Sequence, residues 1–97
     1  MELKLMLKGE LDHHHAEAMR NKLDKEILSS GAETVIFDLS GLTFMDSSGI
    51  GVLLGRYKLF ATRKLYITGA NESVHRVLCV SGIYSLMPPY NEGGVSG

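Results

Sequence analysis

The chain has 97 residues, 44% hydrophobic and 22% charged, with a formal net charge of -1 and one cysteine, Cys79. That length holds one domain with its own core, and the scattered, balanced charge leaves no basic footprint for DNA or RNA. A lone cysteine rules out an internal disulfide, and no run approaches the ~20 apolar residues of a membrane span, so a cytoplasmic protein without a membrane partner is expected.

The first element is a strand over residues 3–8, where Leu3, Leu5 and Leu7 alternate with Lys4, Met6 and Lys8. This alternation is unlike the unbroken apolar core of a secretory signal. A helix follows over about 12–29, burying Ala16, Met19, Leu23 and Ile27, with Asp12 as candidate N-cap and Gly31 as its stop. Arg20 and Asp24, one turn apart, are expected to pair on its outer side. The β-branched run 34–39 predicts a second strand, and Ile50, Leu53, Leu54, Tyr57 and Ala61 predict a helix over about 47–62. A third strand over 65–69, a helix over about 71–81 capped by Asn71 and ended by Gly82, and a short strand near 85–87 complete a βαβαβαβ order. A helix in every strand-to-strand connection predicts a mainly parallel sheet. The strands alternate too cleanly for a sheet covered on both faces, so the helices are expected chiefly on one face. The domain is expected to span residues 1–87, and the Pro- and Gly-rich composition of residues 88–97 reads as a flexible tail.

The junction Phe44-Met45-Asp46-Ser47-Ser48-Gly49 carries two hydroxyls and a carboxylate where a strand run meets a helical one. Backbone N–H groups at a helix start lack intrahelical partners, so a hydroxyl there sits in a field that favours added negative charge. Ser47 or Ser48 is therefore a candidate phosphate carrier, although Asp46 and the serines also suit plain capping roles. Gly49, Gly51 and Gly55 miss the dinucleotide fingerprint, because the third glycine is one position late and all three lie inside the helix. They fit better as a smooth helix surface for another backbone to approach. A hydrolase would need a histidine base for Ser48, but the G-x-S-x-G elbow is missing its first glycine. His13, His14 and His15 point about 100° apart on a helix and do not converge on one ion, so no metal site and no cofactor are expected.

Three segments carry a family resemblance: Gly9-Glu10-Leu11-Asp12-His13-His14, the seventeen residues from Leu42 to Lys58, and Val77-Leu78 with Ser81-Gly82-Ile83. Together they resemble the anti-sigma factor antagonists of the STAS class, with Gly-Glu-Leu-Asp-His-His and Gly-Arg-Tyr-Lys leaning toward the sporulation branch. The resemblance implies a single STAS domain and a non-enzymatic switch. In that family the unphosphorylated antagonist binds an anti-sigma factor that is also a serine kinase, in its ATP- or ADP-bound form, and so frees a sigma factor. The kinase modifies the serine preceding the glycine, here Ser48, and a serine phosphatase reverses it. Asp46, Ser47 and Gly49 would support the phosphosite, and Asp12, His13, Gly51, Gly55 and Arg56 would face the partner. The alternatives are a STAS interaction module without kinase control and, further off, a small serine hydrolase. Relative to the family pattern this sequence shows no strand before residue 3, no Gly-Gly turn near residues 61–64 and no helix after the last strand. Met6, Ile36 and Tyr66 on the half-polar sheet face are then expected to seek cover from a second copy, as a weak homodimer, more than from Tyr90 in the tail.

Overall fold

In a computed structural model, which describes residues 1–90, period-two alternation decides the sheet. Leu5, Leu7 and Leu11 of β1 (Glu2–Leu11) are buried while Lys4, Met6, Lys8 and Glu10 stay exposed. β2 (Thr34–Met45) lies in the middle and β3 (Lys64–Thr68) on its far side, both pairings parallel. The connections are α1 (Ala16–Ser30), between β1 and β2, and α2 (Ser47–Leu59), between β2 and β3; α3 (Glu72–Ser81) follows β3. Leu23 and Ile27 of α1, Val52 and Leu53 of α2, and Val74 and Leu78 of α3 join one core with Leu5, Leu7, Val35, Phe37, Leu65 and Ile67. The helices thus cover one face, as the alternation predicts.

β2 runs six residues past the expected end at Leu39, because residues 40–45 continue the strand. Gly41 permits this, since a Cβ there would stand 2.8 Å from the Leu7 carbonyl oxygen. β1 answers with two irregularities in register and with Gly9 at φ 82, a left-handed conformation that glycine adopts without strain. The two long strands end in register, Leu11 beside Met45, so that β1 leads into the turn before α1 where β2 leads into α2.

The expected fourth strand does not form. Residues 83–85 make a single 3-10 turn, and Met87 is buried after it. Among the described residues one bridge joins the following segment to the sheet, Ile67 with Pro89: the Ile67 N–H donates to the Pro88 carbonyl at 3.1 Å and the Tyr90 N–H to the Ile67 carbonyl at 2.8 Å. Pro88 and Pro89 lack N–H groups, so a ladder cannot extend through them. Residues 88–90, which the sequence assigns to the tail, thus bond to β3, and the rest of the expected tail lies outside the described residues. Tyr90 crosses the open face: its ring meets Tyr66 edge-on at 5.6 Å, and its hydroxyl donates to the Glu2 carboxylate at 3.0 Å. β3 and β1 flank β2, so this side chain spans the central strand, where Ile36 is 2% exposed.

Candidate functional site

The strand-to-helix junction is fixed by Asp46 and Gly49. Asp46 is extended (φ -116, ψ -167) and caps α2 with its side chain, Oδ1 accepting from the Ser48 N–H at 2.8 Å. That bond satisfies one donor of the helix start. Gly49 packs inward: a Cβ there would lie 2.5 Å from Met45 Cγ and 3.0 Å from the Leu11 carbonyl oxygen. Only a bare Cα lets α2 begin this close to the end of β1. Gly51 and Gly55 differ from it, since a Cβ at either would meet nothing within 4 Å among the described residues. They leave an open, smooth helix surface, whereas Gly49 belongs to the packing.

The two serines face different surfaces, as neighbours about 100° apart on a helix must. Ser47 is exposed and lines an apolar groove of about 430 Å³ between α2 and α3, with Ile50, Arg76, Val77, Val80 and Ser81. Ser48 is half-buried and lines, with Gly51, a cleft of about 540 Å³ whose other wall is the start of α1: His13, His14, Ala16, Glu17 and Arg20. Among the described residues no histidine bonds the Ser48 hydroxyl, so the nucleophile and base of a serine hydrolase are not joined.

α1 begins later than the sequence suggests. Residues 12–15 form a turn, the helix starts at Ala16, and His15 at the N-cap position makes no side-chain cap. Asp12 closes that turn instead: its Oδ1 accepts from the His15 N–H at 3.1 Å and lies 2.6 Å from His15 Nδ1. The hydrogen bond from the His15 side chain holds the Asp12 carboxyl below the usual carboxylate range, against the opposing effect of desolvation. His13 and His14 are exposed beside it. Asp12, His13, Ser48 and Gly51 are thus gathered at one end of the sheet.

Arg56 does not share that exposure. Its side chain is 7% exposed, with Nε 2.7 Å from Asp24 Oδ1, so it ties α2 to α1 and is turned away from a partner. The expected pairing of Asp24 with Arg20 is accordingly replaced by Asp24 with Arg56. Burial pushes the guanidinium pKa down; Asp24 raises it again and the like charge of Arg20 opposes that. The contact is close but not aligned as a hydrogen bond, and among the described residues Arg56 Nη1 is buried without a partner. Period-3.6 reasoning missed this, because the pair joins two helices. Glu17 and Arg20 also enter the cleft unannounced; their only signal was a position in the first turns of α1.

The STAS domain pattern matches residues 2–93. The chain is similar to the anti-sigma F factor antagonist of Paenibacillus polymyxa, 42% identical over 91 residues that cover 92% of this chain and 78% of that protein. Among solved structures it resembles the anti-sigma factor antagonist SpoIIAA in its unphosphorylated form, with a TM-score of 0.75 and 32% identity over 94% of this chain and 81% of the other. The Bacillus cell fate determinant SpoIIAA in its phosphorylated form aligns with a TM-score of 0.66 and 31% identity, covering 94% of this chain and 84% of the other.

Proposed function

The chain belongs to the STAS domain family, and from that premise we propose that it is an anti-sigma factor antagonist of the sigma F, sporulation type. In its unphosphorylated form it binds an anti-sigma factor that is also a serine kinase, in the ATP- or ADP-bound state, and releases the sigma factor in the cytoplasm. Phosphorylation of Ser48 ends the interaction and a serine phosphatase restores it. The protein acts by binding and carries no catalysis of its own.

The observation that carries this reading is the placement of Ser48. Its N–H is held by Asp46, and it opens onto a cleft lined by His13 and His14, with no hydrogen bond to its hydroxyl among the described residues. Asp12, His13, Gly51 and Gly55 form the partner-facing surface around it; Asp46, Ser47 and Gly49 hold the phosphosite in shape.

A phosphoserine adds about -1.5 to -2 charges. The helix dipole offsets only ~0.3–1 kcal/mol of that, so the fold tolerates the group. Against an acidic group of the partner ~5 Å away, each unit of charge costs roughly 3 kcal/mol at an effective dielectric near 20. Repulsion across the interface therefore exceeds the local gain severalfold, and the modified domain stays folded but dissociates.

The test is incubation with ATP and a sporulation anti-sigma kinase, followed by peptide mass spectrometry. One phosphate at Ser48 is expected, with Ser48→Ala binding the anti-sigma factor and resisting release by ATP, and Ser48→Asp binding weakly. Phosphate on Ser47, or on neither serine while the kinase modifies a known antagonist, overturns the assignment.

A further inference from the structure

We propose that Glu10, Asp12 and His15 form a binding site for a divalent transition-metal ion of the zinc class. Glu10 lies near the end of β1 and Asp12 opens the turn that follows, with Leu11 fully buried between them. The turn then closes through the His15 N–H donating to the Asp12 carbonyl at 3.2 Å, which swings the imidazole back toward both carboxylates. One donor atom from each of the three side chains lies within 4.8 Å of the other two. Of the three consecutive histidines only His15 joins this group, because neighbouring side chains diverge.

Zinc sits about 2.0–2.2 Å from nitrogen and oxygen donors, so an ion between these three needs donors roughly 3–4 Å apart. The site reaches that by movements of under about 1 Å, with the 2.6 Å contact between Asp12 and His15 opening and Glu10 closing in. All three donors are at or near the surface, so such movements disturb no core packing. Electrostatics favour the ion as well. Among the described residues Glu10 has no ion pair, and Asp12 pairs only with His15, so two carboxylates stand together with one imidazole. Lys8 and Lys22 line the adjoining cleft with Glu10 and His15, yet neither pairs with these carboxylates. One imidazole nitrogen with two carboxylate oxygens suits zinc, cobalt or manganese; calcium and magnesium prefer oxygen alone. Three protein donors leave a coordination position for water.

The site stands on this geometry alone and does not rest on the antagonist reading. If that reading holds, a loaded ion also occupies Asp12 and competes with the partner for it.

Calorimetric titration of the full chain with Zn²⁺ tests the inference, with circular dichroism to confirm that each variant is folded. One site of micromolar affinity is expected, weakened at least ~tenfold in Glu10→Gln and in His15→Gln, since loss of a ligand costs no less than loss of its outer-shell support. The double variant His13→Gln with His14→Gln, and Cys79→Ser, which breaks a competing thiol and imidazole pair 3.3 Å apart, are expected to stay within about twofold. Backbone amide shifts should concentrate at residues 10–15. Binding that survives Glu10→Gln and His15→Gln, that depends on His13 and His14 or on Cys79, or that is absent below millimolar Zn²⁺ overturns it.

Discussion

Gly49, Gly51 and Gly55 look alike in the sequence, yet the space around each Cα predicts opposite responses to a methyl group. Gly49→Ala drives a Cβ into Met45 and the Leu11 carbonyl, and backbone cannot rotate aside as a side chain can. A loss of about 1–3 kcal/mol is expected from overpacking. Gly51→Ala and Gly55→Ala meet open space on a helix and should gain roughly 0.5–1 kcal/mol each. Urea unfolding of the three variants checks the contrast; equal effects would mean that Gly49 is not a packing residue. Under the antagonist reading the two stabilising variants should also bind the anti-sigma factor less well, since the added methyl roughens the approach surface. Asp12 makes a pH-dependent prediction. Its folded carboxyl titrates below the ordinary value of 3.8, so its stabilising contribution is complete above that pH and is lost as pH falls through the folded value. The difference in unfolding midpoint between the native chain and Asp12→Asn should therefore shrink as pH drops below 3.8. A difference that is constant with pH would assign Asp12 no charge-dependent role.

Between elements, the inward-facing ion pair joins α1 to α2 beside their shared apolar core, and with them the two walls of the Ser48 cleft. Removing one partner of a fully buried pair costs about 3–5 kcal/mol. Asp24 keeps 28% of its side-chain exposure, so water partly compensates, and Asp24→Asn is expected to cost about 2 kcal/mol. Arg56→Met fills much of the same space without a charge, leaves Asp24 able to reach water, and should cost less. Chemical denaturation of both variants decides it; an Arg56→Met as damaging as Asp24→Asn would mean that packing, not charge, governs this seam. The pair also marks where sequence reading stops. Periodicity found each helix and its buried stripe, because those are properties of one segment: Leu23 and Ile27, Val74 and Leu78 were legible, as were the Asn71 cap and the glycines ending α1 and α3. A contact between Asp24 and Arg56 has no such local signature. The same limit applies to β2, whose continuation past Leu39 depends on the Leu7 carbonyl lying against Gly41. The cap at the start of α2 was legible for the opposite reason. Its geometry is local, since Asp46 caps a helix that begins at the next residue.

At the scale of the whole molecule the open sheet face decides whether the chain stands alone. Alternation correctly marked Ile36 and Tyr66 as apolar residues on a half-polar face, and it favoured a second copy as their cover. What sequence could not show was the reach of Tyr90, which depends on the 3-10 turn at residues 83–85 and on two prolines directing the chain past β3. Tyr90 lays its ring on Tyr66 and its hydroxyl on Glu2, so the chain covers its own central strand; Met6, 48% exposed, remains outside this cover. The native chain should accordingly sediment as a monomer at concentrations where a variant without this cover associates. Tyr90→Ala removes an aromatic pair worth about 0.5–1.5 kcal/mol together with the burial of Ile36, so a stability loss near 2 kcal/mol is expected. Tyr90→Phe keeps the ring and loses only the hydrogen bond to Glu2, so it should lose less than about 1.5 kcal/mol and remain monomeric. Sedimentation velocity over a wide concentration range separates the cases. Self-association of the native chain equal to that of Tyr90→Ala would mean that one tyrosine is too small a cover, and that a second copy of the domain completes the face after all.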